Sequence, residues 1–187
     1  QLMEPIKPES DIANEISPQY NFFQVEIPNF IETQKKYINL GEKEAKFILS
    51  KVNTIIGNKW RAKIYPNGNN NAKGNYLSVF VELIKGNKVP TNYWYRVEIE
   101  SRDKSKPNII NEYNSEFKFN DTWGWNKLVS LDTLLNQDGY LDSKGSLIIK
   151  LGIRAETYYQ VYKDLQEAVK YQATKIKKLK KKTKNTE

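Results

Sequence analysis

The chain contains no cysteine and no histidine. Without thiols there are no disulfides and no thiolate nucleophile. Without imidazoles there is neither a histidine-based triad nor a Cys/His zinc site. A carboxylate pair or a magnesium site is chemically left open. The acidic residues, however, stand singly and in no ligand spacing. The sequence therefore reads as a non-enzyme with no cofactor and no metal site, any catalysis lying elsewhere in a longer protein. Long apolar runs are missing too: nothing approaches the length of a membrane span, and the N-terminus has no signal-peptide core. With cysteine absent, a reducing compartment is expected, cytoplasmic or nuclear. The chain opens on Gln1-Leu2 instead of a methionine, which leads us to expect a fragment of something longer.

What is present suits a soluble globular domain with one core: 187 residues, 39% hydrophobic and 28% charged. The net charge of +8 is unevenly placed. Residues 175–187 hold seven lysines and one glutamate, leaving 23 basic against 21 acidic residues for everything before them. The body is nearly neutral, so the basic balance says little about its own partner.

Residues 1–19, with Pro5, Pro8 and Pro18, read as a loose lead-in. Alternation then begins. Phe23, Val25 and Ile27 share a face; so do Trp60, Ala62 and Ile64, and Leu77, Val79, Val81 and Leu83. Tyr93, Tyr95, Val97 and Ile99 follow, then Phe117 with Phe119, and finally Leu147, Ile149, Leu151 and Ile153. Phe47–Ile56 is a less regular apolar stretch. Gln34–Lys46 is polar with room for a helical turn, and Ser130–Leu135 is a second turn capped by Ser130. Ser101–Asn108 is a charged loop. Eight short strands between Gly, Pro and Asn turns predict an all-β, antiparallel sandwich over residues 20–155.

Two features interrupt this pattern. Phe80 falls on the polar face of its strand with Tyr76, Ser78 and Glu82, where a phenylalanine points to a site. Asp121-Thr122-Trp123-Gly124-Trp125-Asn126 places two tryptophans around a glycine that lets another backbone come close. Core filling by both rings is the competing reading.

Four blocks in order, Lys59-Trp60-Arg61-Ala62-Lys63-Ile64-Tyr65-Pro66-Asn67-Gly68, Tyr76 to Leu83, Thr122 to Lys127 and Gly139-Tyr140-Leu141, resemble the meprin and TRAF homology (MATH) family from about Phe22 to Ile153. The resemblance is closest to the peptide-binding domains of ubiquitin-specific proteases and cullin-ligase adaptors. It implies an eight-stranded MATH/TRAF-C-like sandwich that binds short linear peptides by strand addition in a shallow groove, recruiting substrates or partners in the ubiquitin system. Carried over by motif, the peptide-binding residues are Lys63, Phe80, Tyr95, Asp121, Thr122, Trp123, Gly124, Trp125 and Asn126. Tyr95 shares parity with Val97 and Ile99, which makes core burial an equal reading. Lys63 reads equally as a solvated strand residue. The family's aspartate before Trp-Gly falls on Thr122, with Asp121 one place early. Either Asp121 substitutes through a bulge, or the peptide preference departs from the usual serine-rich motif.

Residues 156–187 read as a helix with a lysine-rich tail. Tyr162, Leu165, Val169, Gln172, Ile176 and Leu179 follow a 3-4-3-4-3 spacing, an a/d seam of under three heptads. A coiled coil, packing back on the sandwich and a lead into another domain are all open. The lysine run reads as a solvated linker, a nuclear-import signal or an anionic contact. Assembly through this helix is the alternative function. The like charges of the tail nevertheless predict a monomer. Nucleic-acid binding is disfavoured because aromatics do not interleave with the lysines.

Overall fold

The computed structural model describes residues 17–41, 46–86, 89–136 and 139–184. The lead-in up to residue 16 and the last three residues lie outside these. Two antiparallel sheets face each other. The first runs β1 (Asn21–Ile27), β9 (Leu147–Ala155), β6 (Thr91–Ile99), β7 (Ile109–Phe117). The second runs β2 (Ile48–Leu49), β4 (Asn58–Tyr65), β5 (Tyr76–Lys85), β8 (Thr122–Ser130), with β3 (Asn53–Ile55) also paired to β4. The all-β sandwich with a C-terminal helix is as the sequence predicts. The described strands number nine instead of eight, because the irregular Phe47–Ile56 stretch supplies two short ones, β2 and β3.

Alternation decides what the core contains. Trp60, Ala62 and Ile64 of β4 and Leu77, Val79, Val81 and Leu83 of β5 are buried, as are Tyr93, Tyr95, Val97 and Ile99 of β6. Leu147, Ile149, Leu151 and Ile153 of β9 complete the set. Each Val, Leu or Ile side chain among them contributes about 1.5–3 kcal/mol by leaving water. Trp60 sits at the centre, edge-on to Tyr93 with centroids 5.1 Å apart and to Phe117 at 5.0 Å. Phe119 does not continue this face. Its strand ends at Phe117, and the ring is exposed beside the turn into β8.

The first helix also departs from expectation. It spans α1 (Phe30–Ile38), starting four residues earlier than the predicted Gln34–Lys46 turn. Phe30 is fully buried and anchors its start, a role that local polarity does not reveal. The helix sets buried Gln34 against the Pro66-Asn67-Gly68 turn, where its amide nitrogen donates to Asn67 Oδ1. In α2 (Leu131–Asn136), Ser130 caps as anticipated, its hydroxyl oxygen accepting the Thr133 N–H at 3.0 Å. Tyr140 is buried, and its hydroxyl donates to the Pro107 carbonyl. That block of the motif therefore holds two loops together.

The C-terminal helix α3 (Tyr158–Lys184) is 27 residues, roughly 40 Å at 1.5 Å per residue. Its first turns pack back on the sandwich. Asp164 is buried; the Tyr93 hydroxyl and the Asn58 side-chain amide both donate to Asp164 Oδ2. Burial first, and then the Asp164 carboxylate, push the Tyr93 hydroxyl far above the usual tyrosine range. From Val169 to Thr183 every residue is exposed. The helix thus docks through its first turns, with exposed Tyr171 still touching Lys85, and runs on as a solvent-exposed extension.

Candidate functional site

β8 is the last strand of its sheet, and among the described residues its backbone pairs only with β5. The register sorts the motif residues into two groups. Trp123 lies opposite Val81 and Trp125 opposite Val79, both fully buried, so the two indoles belong to the face between the sheets. Thr122 lies opposite Glu82 and Gly124 opposite Phe80, which belong to the outer face. The two tryptophans and Phe80 therefore stand on opposite sides of the β8 edge, not on one wall.

On the inner side, Trp125 packs at 5.1 Å from Tyr95, which is itself buried and edge-on to Phe117. Tyr95 is thus a core residue behind the site, the second of its two readings. Burial raises the pKa of its hydroxyl, which shares a hydrogen bond with Ser115. Trp123 is 44% exposed, and its indole N–H donates to the Glu116 carbonyl of β7 at 2.9 Å. That bond fixes a large ring at the mouth between the two sheets. Tyr113, exposed on β7 and 6.5 Å from Tyr95, flanks the same mouth. The motif reading missed it, although its parity with Phe117 was available.

On the outer side a row of rings crosses the sheet. Phe47 is edge-on to Tyr65 at 5.5 Å, and Tyr65 edge-on to half-buried Phe80 at 5.8 Å. Lys63 is not simply solvated. Its ammonium lies 4.2 Å from the Phe47 ring centroid and 3.7 Å from Glu82. Phe47 and Tyr65 were also missed: each looks like an ordinary apolar residue until β4, paired with β2 on one side and β5 on the other, lines them up with Phe80.

The missing aspartate has a counterpart on a different strand. Glu82 is 7% exposed and held by Arg61 Nε at 2.5 Å, by Lys63 and by the Thr122 hydroxyl, which donates to Glu82 Oε1 at 3.3 Å. Asp121 is engaged by the turn, its carboxylate accepting the Lys118 N–H. A carboxylate thus stands directly across from Thr122 without any bulge at Asp121. The irregularity lies further on: β8 shifts register between Trp125 and Val129, where the Ser78 hydroxyl donates to the Asn126 carbonyl. The Asn126 side-chain oxygen accepts a long 3.5 Å bond from Asn69, tying Asn126 to the neighbouring loop.

The MATH domain profile matches residues 22–153. The chain belongs to the MATH domain family. MATH is a protein-interaction fold. A mouse protein, E3 ubiquitin-protein ligase TRIM37, is 33% identical over 163 residues, covering 86% of the chain and 16% of the relative. RING finger protein DG17 of Dictyostelium discoideum is 24% identical over 131 residues, 68% of the chain and 27% of the relative. The chain therefore spans well under a third of these relatives' own lengths. A structure of TRAF5 from Notothenia coriiceps superposes with a TM-score of 0.59 at 15% identity, over 71% of the chain and 72% of that chain, and shares the MATH sandwich. Among the described residues no helix is long and apolar enough to cross a membrane. No group of three or more His, Cys, Asp or Glu among them could hold a metal ion.

Proposed function

We propose that this MATH domain is a non-catalytic module that binds an extended peptide by adding it as a strand to the outer edge of β8. The open edge is the observation that carries the reading. An added strand gains main-chain hydrogen bonds from β8, and its side chains alternate between two faces. Two different surfaces await them. Trp123, Trp125 and Tyr113 form an aromatic mouth on the inner side. Phe80, Tyr65 and Lys63 form an aromatic and cationic shelf on the outer side, above Gly124. Gly124 keeps that part of the edge free of a side chain.

The identity with TRIM37 supports a place for such a peptide contact in the ubiquitin system, recruiting a substrate or partner to machinery elsewhere in a longer chain. With Glu82 already neutralised by Arg61 and Lys63, the outer shelf favours apolar or small polar side chains over basic ones.

A peptide array followed by titration calorimetry with the best sequence tests the proposal. Trp123→Ala and Phe80→Ala are each expected to weaken binding by roughly 2 kcal/mol, with the domain still folded. Binding unaffected by both substitutions, or by proline placed at alternate peptide positions, would remove strand addition as the mode.

A further inference from the structure

Helix α3 carries two stripes. Val161, Asp164, Ala168 and Tyr171 face the sandwich. Asp164 is gripped by Tyr93 and Asn58, and the Tyr171 ring lies 3.5 Å from the Lys85 ammonium. Ala168 packs so tightly on the β3–β4 turn that a Cβ at Gly57 would come within 2.6 Å of its methyl. One residue on, and so about 100° around the helix, lies the second stripe. Tyr162, Leu165, Val169, Ile176 and Leu179 are between 47% and 68% exposed. At its upper end Tyr162, Leu165, Gln166, Val169 and Lys170 line a shallow depression of ≈ 370 Å³.

A seam only one stripe wide, repeating every 3.5 residues, is the shape that receives another helix, not a broad apolar face that would lie on lipid. The charge beside it identifies the occupant. From Ala168 to Lys184 the sequence contains no acidic residue. With Tyr162 and Leu165 as a and d, Lys175 and Lys180 take g and e, the positions that set partner choice. In a parallel pair with a second copy, Lys175 would face Lys180 of that copy. Within the helix, the Lys177/Lys181 pair repels at i,i+4 spacing. An undocked extension of this composition gains stability from a partner that neutralises it.

We propose that the seam Tyr162–Leu165–Val169–Ile176–Leu179 is a docking site for an acidic amphipathic helix of a partner protein. Apolar residues of that helix pack into the seam, and its carboxylates pair with the flanking lysines. The site is separate from the β8 edge.

The probe is a synthetic four-heptad peptide with Ile at a, Leu at d and Glu at e and g. We expect it to bind the whole chain one to one by calorimetry, with a gain in helicity. Val169→Lys with Ile176→Lys alters exposed positions only and is expected to weaken binding at least about tenfold while the melting temperature holds. Lys175→Glu with Lys180→Glu is expected to switch preference to the same peptide bearing Lys at e and g. Equal binding of a scrambled acidic peptide would overturn the proposal. So would sedimentation showing that the chain alone dimerises through this seam. Ile176-dependent binding to phosphatidylserine vesicles without binding of the heptad peptide would overturn it as well.

Discussion

Gly124 and Phe80 face each other across the β5–β8 pair so closely that a methyl on Gly124 would sit 2.6 Å from the Phe80 Cα and 2.2 Å from the Val79 carbonyl oxygen. The glycine in the tryptophan pair is therefore a packing requirement between two backbones. It also keeps the β8 edge flat where Phe80 is presented.

Gly124→Ala is expected to cost about 1–3 kcal/mol in urea unfolding, because the obstacle is main chain and cannot rotate away. A wild-type unfolding midpoint would mean that β8 shifts outward freely and that the close approach is not needed.

Restoring the aspartate that the resemblance expects should harm this domain. Thr122→Asp sets a carboxylate opposite buried Glu82 in place of a hydroxyl that donates to it. Like charges directly across a strand pair are destabilising, here by roughly 1 kcal/mol. The penalty is expected to shrink in a Glu82→Gln background. A double-mutant cycle in denaturant measures the coupling, and additive effects would disprove it.

The Tyr93–Asp164 contact predicts an alkaline limit to stability. Burial and the adjacent carboxylate raise the folded-state pKa of Tyr93 above its unfolded value. Its contribution is therefore complete below about pH 10, the unfolded tyrosine value, and is lost as pH rises beyond it. Tyr93→Phe should flatten the fall in stability between pH 9 and 11, on the order of the tyrosine's own titration range. An unchanged slope would point to Tyr20, Tyr37 or Tyr95, whose hydroxyls are also raised.

Removing the acceptor should release the helix. Asp164→Ala leaves the buried Tyr93 hydroxyl without its acceptor and the Asn58 amide with only the Tyr93 oxygen to donate to, a loss of about 1–3 kcal/mol. Hydrogen exchange is expected to accelerate in residues 158–168 more than in β4 or β5. Uniform acceleration would show that α3 and the sandwich unfold together.

Peptide binding at β8 is expected to depend weakly on salt, since the main-chain bonds and aromatic contacts act within a Debye length of about 8 Å at physiological ionic strength. Calorimetry at low and high salt, with and without residues 175–187, checks this. Steep salt dependence that disappears with the tail would assign binding to the lysines instead.

Period-two alternation by itself placed Trp60, Leu77, Val79, Val97 and Ile149 in the core, because a residue's parity on a strand is a local property. The Ser130 cap was legible for the same reason: donor and acceptor lie three residues apart. The seam on α3 was likewise visible from spacing. Whether that seam or the stripe beside it meets the sandwich was not. The choice rests on Tyr93 and Asn58, which lie 71 and 106 residues from Asp164 and become its neighbours only when β4, β6 and α3 converge. The site divides in the same way. The motif marked Trp123, Gly124, Trp125 and Phe80, and parity had already set Phe80 on the polar face, but only the register of β5 against β8 put the indoles on the inner face, away from it. Only the pairing of β4 with β5 brought Lys63 and Arg61 onto Glu82 opposite Thr122. Parity names two faces of a strand; which face meets which neighbour is fixed by contacts distant in the chain, and these exist only in the folded state.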